Sequence, residues 1–234
     1  MPDLMKFADE PLFGVLLSVS MYVLFAKLMG RAKSPLLNPF LFAILGVIAF
    51  LKLTGVTYAQ YRVGGDVLAF FIAPSVVALA FPLYRQFAKL KANALPILAG
   101  ILAGVLTSIV TGVGLAMLLG ISRELTISMS SKGTTSGISM ELAFALGGSR
   151  EAAIAFVNVA GLSGYLVGEK ALRLARIHSP VARGLALGTG SHMMGTRLAF
   201  EMGEEEGAMS SLAIGLAGVA TSVVLSPIIR LLGL

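Results

Sequence analysis

RGLALGTGSHMMGTRLAFEMGEEEGAMSS, residues 183–211, is apolar enough to enter a bilayer, yet it places His192, Arg197 and Glu201 within ten residues. Four glycines, Gly184, Gly188, Gly190 and Gly195, make an uninterrupted helix a poor expectation here. Ionisable residues inside a membrane segment are costly and mark a pathway or a binding site. The surrounding chain supports a membrane setting. Of its 234 residues, 56% are hydrophobic and 13% charged, and the mean hydropathy is +0.89. A soluble domain carries roughly 25% charged residues. The absence of cysteine excludes a disulfide framework and thiolate chemistry. The net charge of +6 does not suggest nucleic acid, because the basic residues lie in short loops between apolar runs. The N-terminal MPDLMKFADEP has no basic region and reads as neither a signal nor a transit peptide.

Apolar segments fall at about 12–26, 38–53, 67–84, 95–119, 125–146, 152–172, 184–199 and 208–232. None alternates with period two, which excludes a β-barrel. The expected fold is all-α: one polytopic membrane domain over residues 1–234 with seven or eight transmembrane segments. Three segments are irregular. The third holds Pro74 and Pro82, the fifth has the polar centre SMSSKGTTSGISME (128–141), and the seventh is the stretch quoted above. Broken backbone at membrane depth requires protein or a wet cavity to satisfy it. Gly100/Gly104, Gly164/Gly168 and Gly184/Gly188 have the spacing that lets helices approach closely.

LAGILAGVLTSIV (98–110) lies over LAIGLAGVATSVV (212–224) with nine identities in thirteen positions. The offset of 114 places Pro74-Ser75 over Gly188-Thr189 and implies half repeats at about 11–120 and 121–234. Duplicated halves with matching interrupted helices point to a transporter site. The loops 27–33, 85–91 and 170–183 are basic, and 201–206 is acidic. If segment five re-enters, the three basic loops share the cytoplasmic side. Glu204–Glu206 then face out, and the halves are inverted.

Lys132, among Ser130, Ser131, Thr134, Thr135 and Ser136, suits a polar cavity lining or, alternatively, an interfacial loop. A half-helix N-terminus there would favour an anion. Glu141 either carries a coupling proton, if buried, or pairs with a base such as Arg150. His192, beside Thr189, Ser191 and Thr196, could bind substrate or accept a proton. Arg197 either clamps a carboxylate or pairs with Glu201 four residues on. Asn158 reads as a buried amide. Adjacent Ser191 and His192 cannot form a nucleophile–base pair on one helix face, so no enzyme is expected, and no metal or cofactor.

SKGTTSGISME, PVARGLALGTGSHMMGT and EMGEEEGAMSSLAIGLAG resemble the LrgB/CidB family, as do NPFLFAILGVIAFLKLTGVTYAQY and APSVVALAFPLYRQ. The resemblance covers about residues 35–230. It implies a bacterial cytoplasmic-membrane protein described as holin- or antiholin-like, acting beside a small LrgA/CidA-type partner. Plant relatives move glycolate and glycerate, and other bacterial relatives are linked to pyruvate. The substrate implied is a small 2-hydroxy or 2-oxo monocarboxylate of the glycolate, glycerate, lactate or pyruvate type. A homodimer in the lipid bilayer is expected, with no nucleic acid. The family's motif positions fall on Pro74, Lys132, Thr134, Thr135, Glu141, Arg183, Thr189, Ser191, His192, Thr196 and Glu201, and Ser75 neighbours the first. Two departures stand out: Gly137 where a proline is common, and Arg197 one residue after Thr196 rather than two. The expected site has the broken segments three and seven meeting at the 130–141 turn, with His192 or Glu141 coupling a proton.

Overall fold

The computed structural model describes residues 6–29, 39–71, 74, 77–78, 80–85 and 87–234, and these are helices and turns. They form two compact units, Met1–Ala78 and Leu79–Leu234. The first is built on α1 (Pro11–Met29), against which α2 (Pro39–Thr54) and α3 (Tyr58–Phe70) pack. Gly14 and Gly64 bring α1 and α3 into backbone contact, and Ser18 Oγ bonds Tyr61 Oη at 2.8 Å. Pro74 is an exposed helical residue of this unit. Ser75 lies outside the described residues.

The second unit contains α4 (Ala80–Arg85), α5 (Phe87–Ala92), α6 (Ala94–Leu118), α7 (Arg123–Ser130), α8 (Ser136–Ala145), α9 (Arg150–Leu174), α10 (Pro180–Met202) and α11 (Glu204–Leu231). One face of α6, Ile97, Ile101, Val105, Ile109 and Val113, is buried against Met209, Ala213, Ala217, Leu225 and Ile229 of α11. Its opposite face, with Leu98, Leu102, Leu106 and Val110, is exposed. A soluble protein does not present such continuous apolar faces to water. Among the described residues, α1, α6, α9 and α11 are long and apolar enough to cross a membrane, and α2 is a shorter apolar helix.

Segments five and seven do not cross as single helices. Segment five is α7 and α8, of 8 and 10 residues. Such lengths reach only about 12 and 15 Å, half of a hydrocarbon core. Ser131 Oγ meets Ser139 Oγ at 2.7 Å near the tip, and Ser149 N–H donates to Ser128 Oγ at 2.8 Å at the base. The two helices are therefore antiparallel arms of a hairpin.

Segment seven is a second hairpin within α10. His192, at φ 50° and ψ −129°, reverses the chain. Arm 180–191 runs parallel to α11: Gly184 packs on the Glu206 carbonyl and Gly188 on the Ser210 carbonyl. Arm 193–202 runs antiparallel to α11, with Thr196 Oγ1 2.7 Å from Ser210 Oγ and Phe200 against Gly207. Arg183 and Glu206 consequently stand level, 3.9 Å apart.

This reversal corrects the sequence-based topology. We call the end of the unit holding Asn93 the lower end. Arm 180–191 lies beside the first half of α6, from Asn93 next to Ser179 to Gly104 under Thr189, so both run upward. α11 runs upward with them. The two stretches aligned at an offset of 114 are thus parallel neighbours, not inverted counterparts. The acidic residues sit at the lower end with the basic ones, Arg85 bonding Glu204 at 3.2 Å. The expectation that Glu204–Glu206 face the opposite side from Arg183 fails because segment seven was read as crossing.

Two hairpin–helix pairs run in opposite senses. The α7–α8 hairpin enters from the upper end and is followed by α9 running down. The α10 hairpin enters from the lower end and is followed by α11 running up. Leu142-Ala143-Phe144 and Leu198-Ala199-Phe200 occupy the same place in the returning arms. Gly147 and Gly203 follow at the turns, and GLSG (161–164) and GLAG (215–218) lie in the long helices.

Single cysteines can test this in a chain that has none of its own. Leu119→Cys and Glu151→Cys should be labelled by an impermeant thiol reagent from one side, and His178→Cys and Glu204→Cys from the other. Labelling of Glu151→Cys from the side opposite to Leu119→Cys would mean that segment five crosses.

Candidate functional site

The two hairpin tips meet beside the middle of α6. His192 Nε2 donates to the Lys132 carbonyl oxygen across 2.8 Å, which fixes the proton on Nε2. Nδ1 is buried without a partner. His192 is only 4% exposed, although its backbone adopts a conformation that glycine alone takes easily. Such strain costs of order 1–3 kcal/mol and persists where the surroundings over-determine it.

Lys132 is half-buried, and its ammonium turns to α6, donating to the Ser108 carbonyl at 2.7 Å and to Ser108 Oγ at 3.4 Å. Gly112 makes room for it: a Cβ there would lie 2.5 Å from Nζ. Gly133 packs on Ser108 Oγ, and Thr189 on Gly104. Ser191 fills the space that a Cβ on Gly164 would need, which seats the second tip on α9. Each tip thus rests in a notch lined with small residues.

α8 starts here. Its N-cap, Thr135, is extended, at φ −69° and ψ 153°, and its hydroxyl makes no capping bond. The first-turn N–H groups of α8 carry the partial positive charge of a helix start. The arm 193–202 begins at the same depth. Thr134 is fully buried and its hydroxyl donates to nearby backbone carbonyls, Thr135 O at 3.2 Å among them.

Two cavities adjoin the tips. One of about 600 Å³ runs between α6 and arm 180–191, from Asn93 and Ser179 at the lower end to Ser108, Thr189 and Gly190 at the tips. The other, of about 80 Å³, is bordered by Thr135, Ser136, Asn158, Ser191 and His192.

Lys132, Thr134, Thr135, Thr189, Ser191 and His192 are therefore brought together. Thr196 is not: it is buried and joins α10 to α11 through Ser210. Glu141 is exposed, its carboxylate held by Arg150 at 3.1 and 3.2 Å, so the buried form needed for proton coupling is not found. Arg197 pairs with Glu201 at 3.1 Å. Asn158, expected to be buried, is exposed at the rim of the smaller cavity. Ser108 and Gly112 were missed. With Gly100 and Gly104, whose spacing already marks a close helix approach, they extend a small-residue face along α6 at a spacing of four.

The chain matches the LrgB-like family over residues 18–231. It belongs to that family. It is 36% identical over 208 residues to the uncharacterized protein YxaC of Bacillus subtilis, covering 89% of this chain and 90% of the relative. It is 33% identical over 230 residues to the antiholin-like protein LrgB of Bacillus subtilis, covering 98% and 100%. The holin-like protein CidB of Staphylococcus aureus is 34% identical over 222 residues, covering 95% and 97%. No solved structure matches the chain.

The notches give a stability test for this LrgB-like chain. Gly188→Val pushes a side chain onto the Ser210 backbone, which cannot rotate away. Overpacking of this kind costs about 1–3 kcal/mol, and a lowered Tm in detergent is expected. Gly190→Ala meets nothing within 4 Å, and its Tm should be unchanged or slightly raised.

Proposed function

We propose that this protein is a holin/antiholin-like membrane protein of a bacterial cytoplasmic membrane that modulates murein hydrolase activity and cell lysis. The observation that carries this reading is 33–34% identity, over nearly the full length, to relatives named antiholin-like LrgB and holin-like CidB. The lower end is cytoplasmic in this proposal. Arg85, Lys170, Arg173, Arg176 and Arg183 belong to that end, as the positive-inside rule favours. A small LrgA/CidA-type membrane protein and a second copy of the chain are the partners proposed with it.

A second reading is favoured by the meeting of the two hairpin tips. Membrane lesions made by lateral assembly need no such centre. Opposed broken helices with a lysine and a histidine at their junction suit a carrier. We propose that the cargo is a small 2-hydroxy or 2-oxo monocarboxylate, coupled to a proton through His192. The Lys132 region, the α8 N-terminus and the hydroxyls of Thr135, Thr189 and Ser191 would hold it. The larger cavity would be the route from the lower end.

Reconstituted liposomes separate the two. Saturable uptake of lactate, glycolate or pyruvate without leakage of a trapped dye supports the carrier. Unsaturable dye leakage supports the lesion-forming reading. For the carrier, Lys132→Ala and His192→Ala should each lower uptake by about tenfold or more, the scale of one lost bond to a charged or buried group. Full uptake in both variants would remove the site from consideration.

A further inference from the structure

The cavity of about 600 Å³ between α6 and arm 180–191 is walled by glycines of two kinds. Gly104 packs on Thr189, whose methyl carbon lies 2.8 Å from where a Cβ would stand, so its smallness serves the helix contact. Gly100 on α6 and Gly190 on the arm are different. Both are exposed, both line the cavity, and a Cβ on either would meet nothing within 4 Å. Alanine would fit at each and would favour the helix. With no side chain, their peptide groups stand open to the space between the two helices. Gly190 lies at the inner end, beside the tips, and Gly100 about one turn of α6 below Gly104. The contents of the cavity follow from its ends. Asn93 and Ser179 make the lower mouth polar, and Ser108 and Thr189 the inner end. Ser108 also binds the half-buried Lys132 ammonium. An ammonium at membrane depth faces water or the protein interior, not lipid. A space of this volume with polar groups at both ends holds water.

We propose that this cavity is a water-filled vestibule and that Gly100 and Gly190 are its size filter, setting the largest solute that reaches the hairpin tips from the lower end. In the carrier reading, on which this rests, the two glycines act on the passage of cargo and not on its binding at the tips. A side chain at either position narrows the way, and the larger solute is stopped first. The wall between the polar ends is otherwise apolar, with Ile97 on α6 and Leu185 and Ala186 on the arm, so no side chain there holds a polar solute back. Selection along this stretch is by width.

The test uses the full-length protein in liposomes, and the chain has no cysteine of its own. Gly100→Cys and Gly190→Cys should each react with a small impermeant thiol reagent applied from the lower-end side. Uptake of glycolate, lactate and 2-hydroxybutyrate, which grow by one carbon at a time, is then measured for Gly100→Ala, Gly100→Val and Gly100→Leu and for the same changes at Gly190. Expected is a loss that deepens with the added side chain and is greatest for 2-hydroxybutyrate, about tenfold or more for each carbon that no longer fits. Tm in detergent should stay near the wild-type value, because the new Cβ strikes no neighbour. Gly215→Leu, at an equally open position of α11 that lines neither cavity, should leave uptake unchanged. Wild-type uptake that no change at Gly100 or Gly190 alters overturns the filter and leaves the carrier reading standing, and so does a loss equal for all three acids. Where the leucine variants fail to fold, the cysteines decide: no labelling of either from the lower-end side overturns the vestibule. Uptake of none of the acids by the wild type overturns the carrier reading and the filter with it.

Discussion

A backbone that leaves its helix in apolar surroundings must find partners for the N–H and C=O groups it frees. Here two hairpins do so at one place, and the bond from His192 Nε2 to the Lys132 carbonyl joins them. Each tip presents what the other lacks. The α7–α8 tip offers a carbonyl and the start of a helix. The α10 tip offers an imidazole donor at a residue whose φ of 50° turns the chain back. Lys132 then carries the link onward to Ser108 in the middle of α6. Removing the junction would leave two half-length helix pairs with buried polar ends.

The junction holds only because the long helices leave space for it. Gly104 and Gly112 on α6, Gly164 on α9 and Gly184 and Gly188 on α10 are sites where a side chain would strike a neighbour. Where apolar faces meet lipid on the other side, close packing and polar contacts hold helices together better than hydrophobicity does. Gly184 and Gly188 place arm 180–191 on the backbone of α11, and Thr196 ties the returning arm to the same helix through Ser210. Charge follows this packing. Arg183 and Glu206 face each other because the chain between them goes in and comes out. A straight helix through the 23 positions between them would have set them about 35 Å apart.

Several residues were read correctly from local pattern alone. The broken seventh segment, the polar break in segment five, the Gly184/Gly188 contact and the Arg197–Glu201 pair all depend on neighbours within a few residues or on one helix face. Family membership was legible in SKGTTSGISME and GTGSHMMGT. The failures share a cause. Of the two readings left open for Glu141, the proton carrier needed burial, but the residue lies beyond the tip on an exposed face and pairs with Arg150, as the other reading had it. The repeat at an offset of 114 is real text, yet it pairs two parallel helices. The elements that run in opposite senses are the two hairpin–helix pairs, whose shared residues are few and scattered in a glycine- and alanine-rich chain.

The sequence by itself determined that this is a helical membrane protein of the LrgB-like family, and which segments are broken. Composition, segment length and glycine spacing are local quantities, and they suffice for that. Only the tertiary structure decided which way the chain runs after each break. That choice rests on one left-handed residue and on contacts between residues far apart in sequence, His192 with Lys132 and Arg183 with Glu206. A glycine-rich apolar stretch that kinks and one that reverses are written in the same residues. The difference lies in which notch is present on the neighbouring helices to receive the tip.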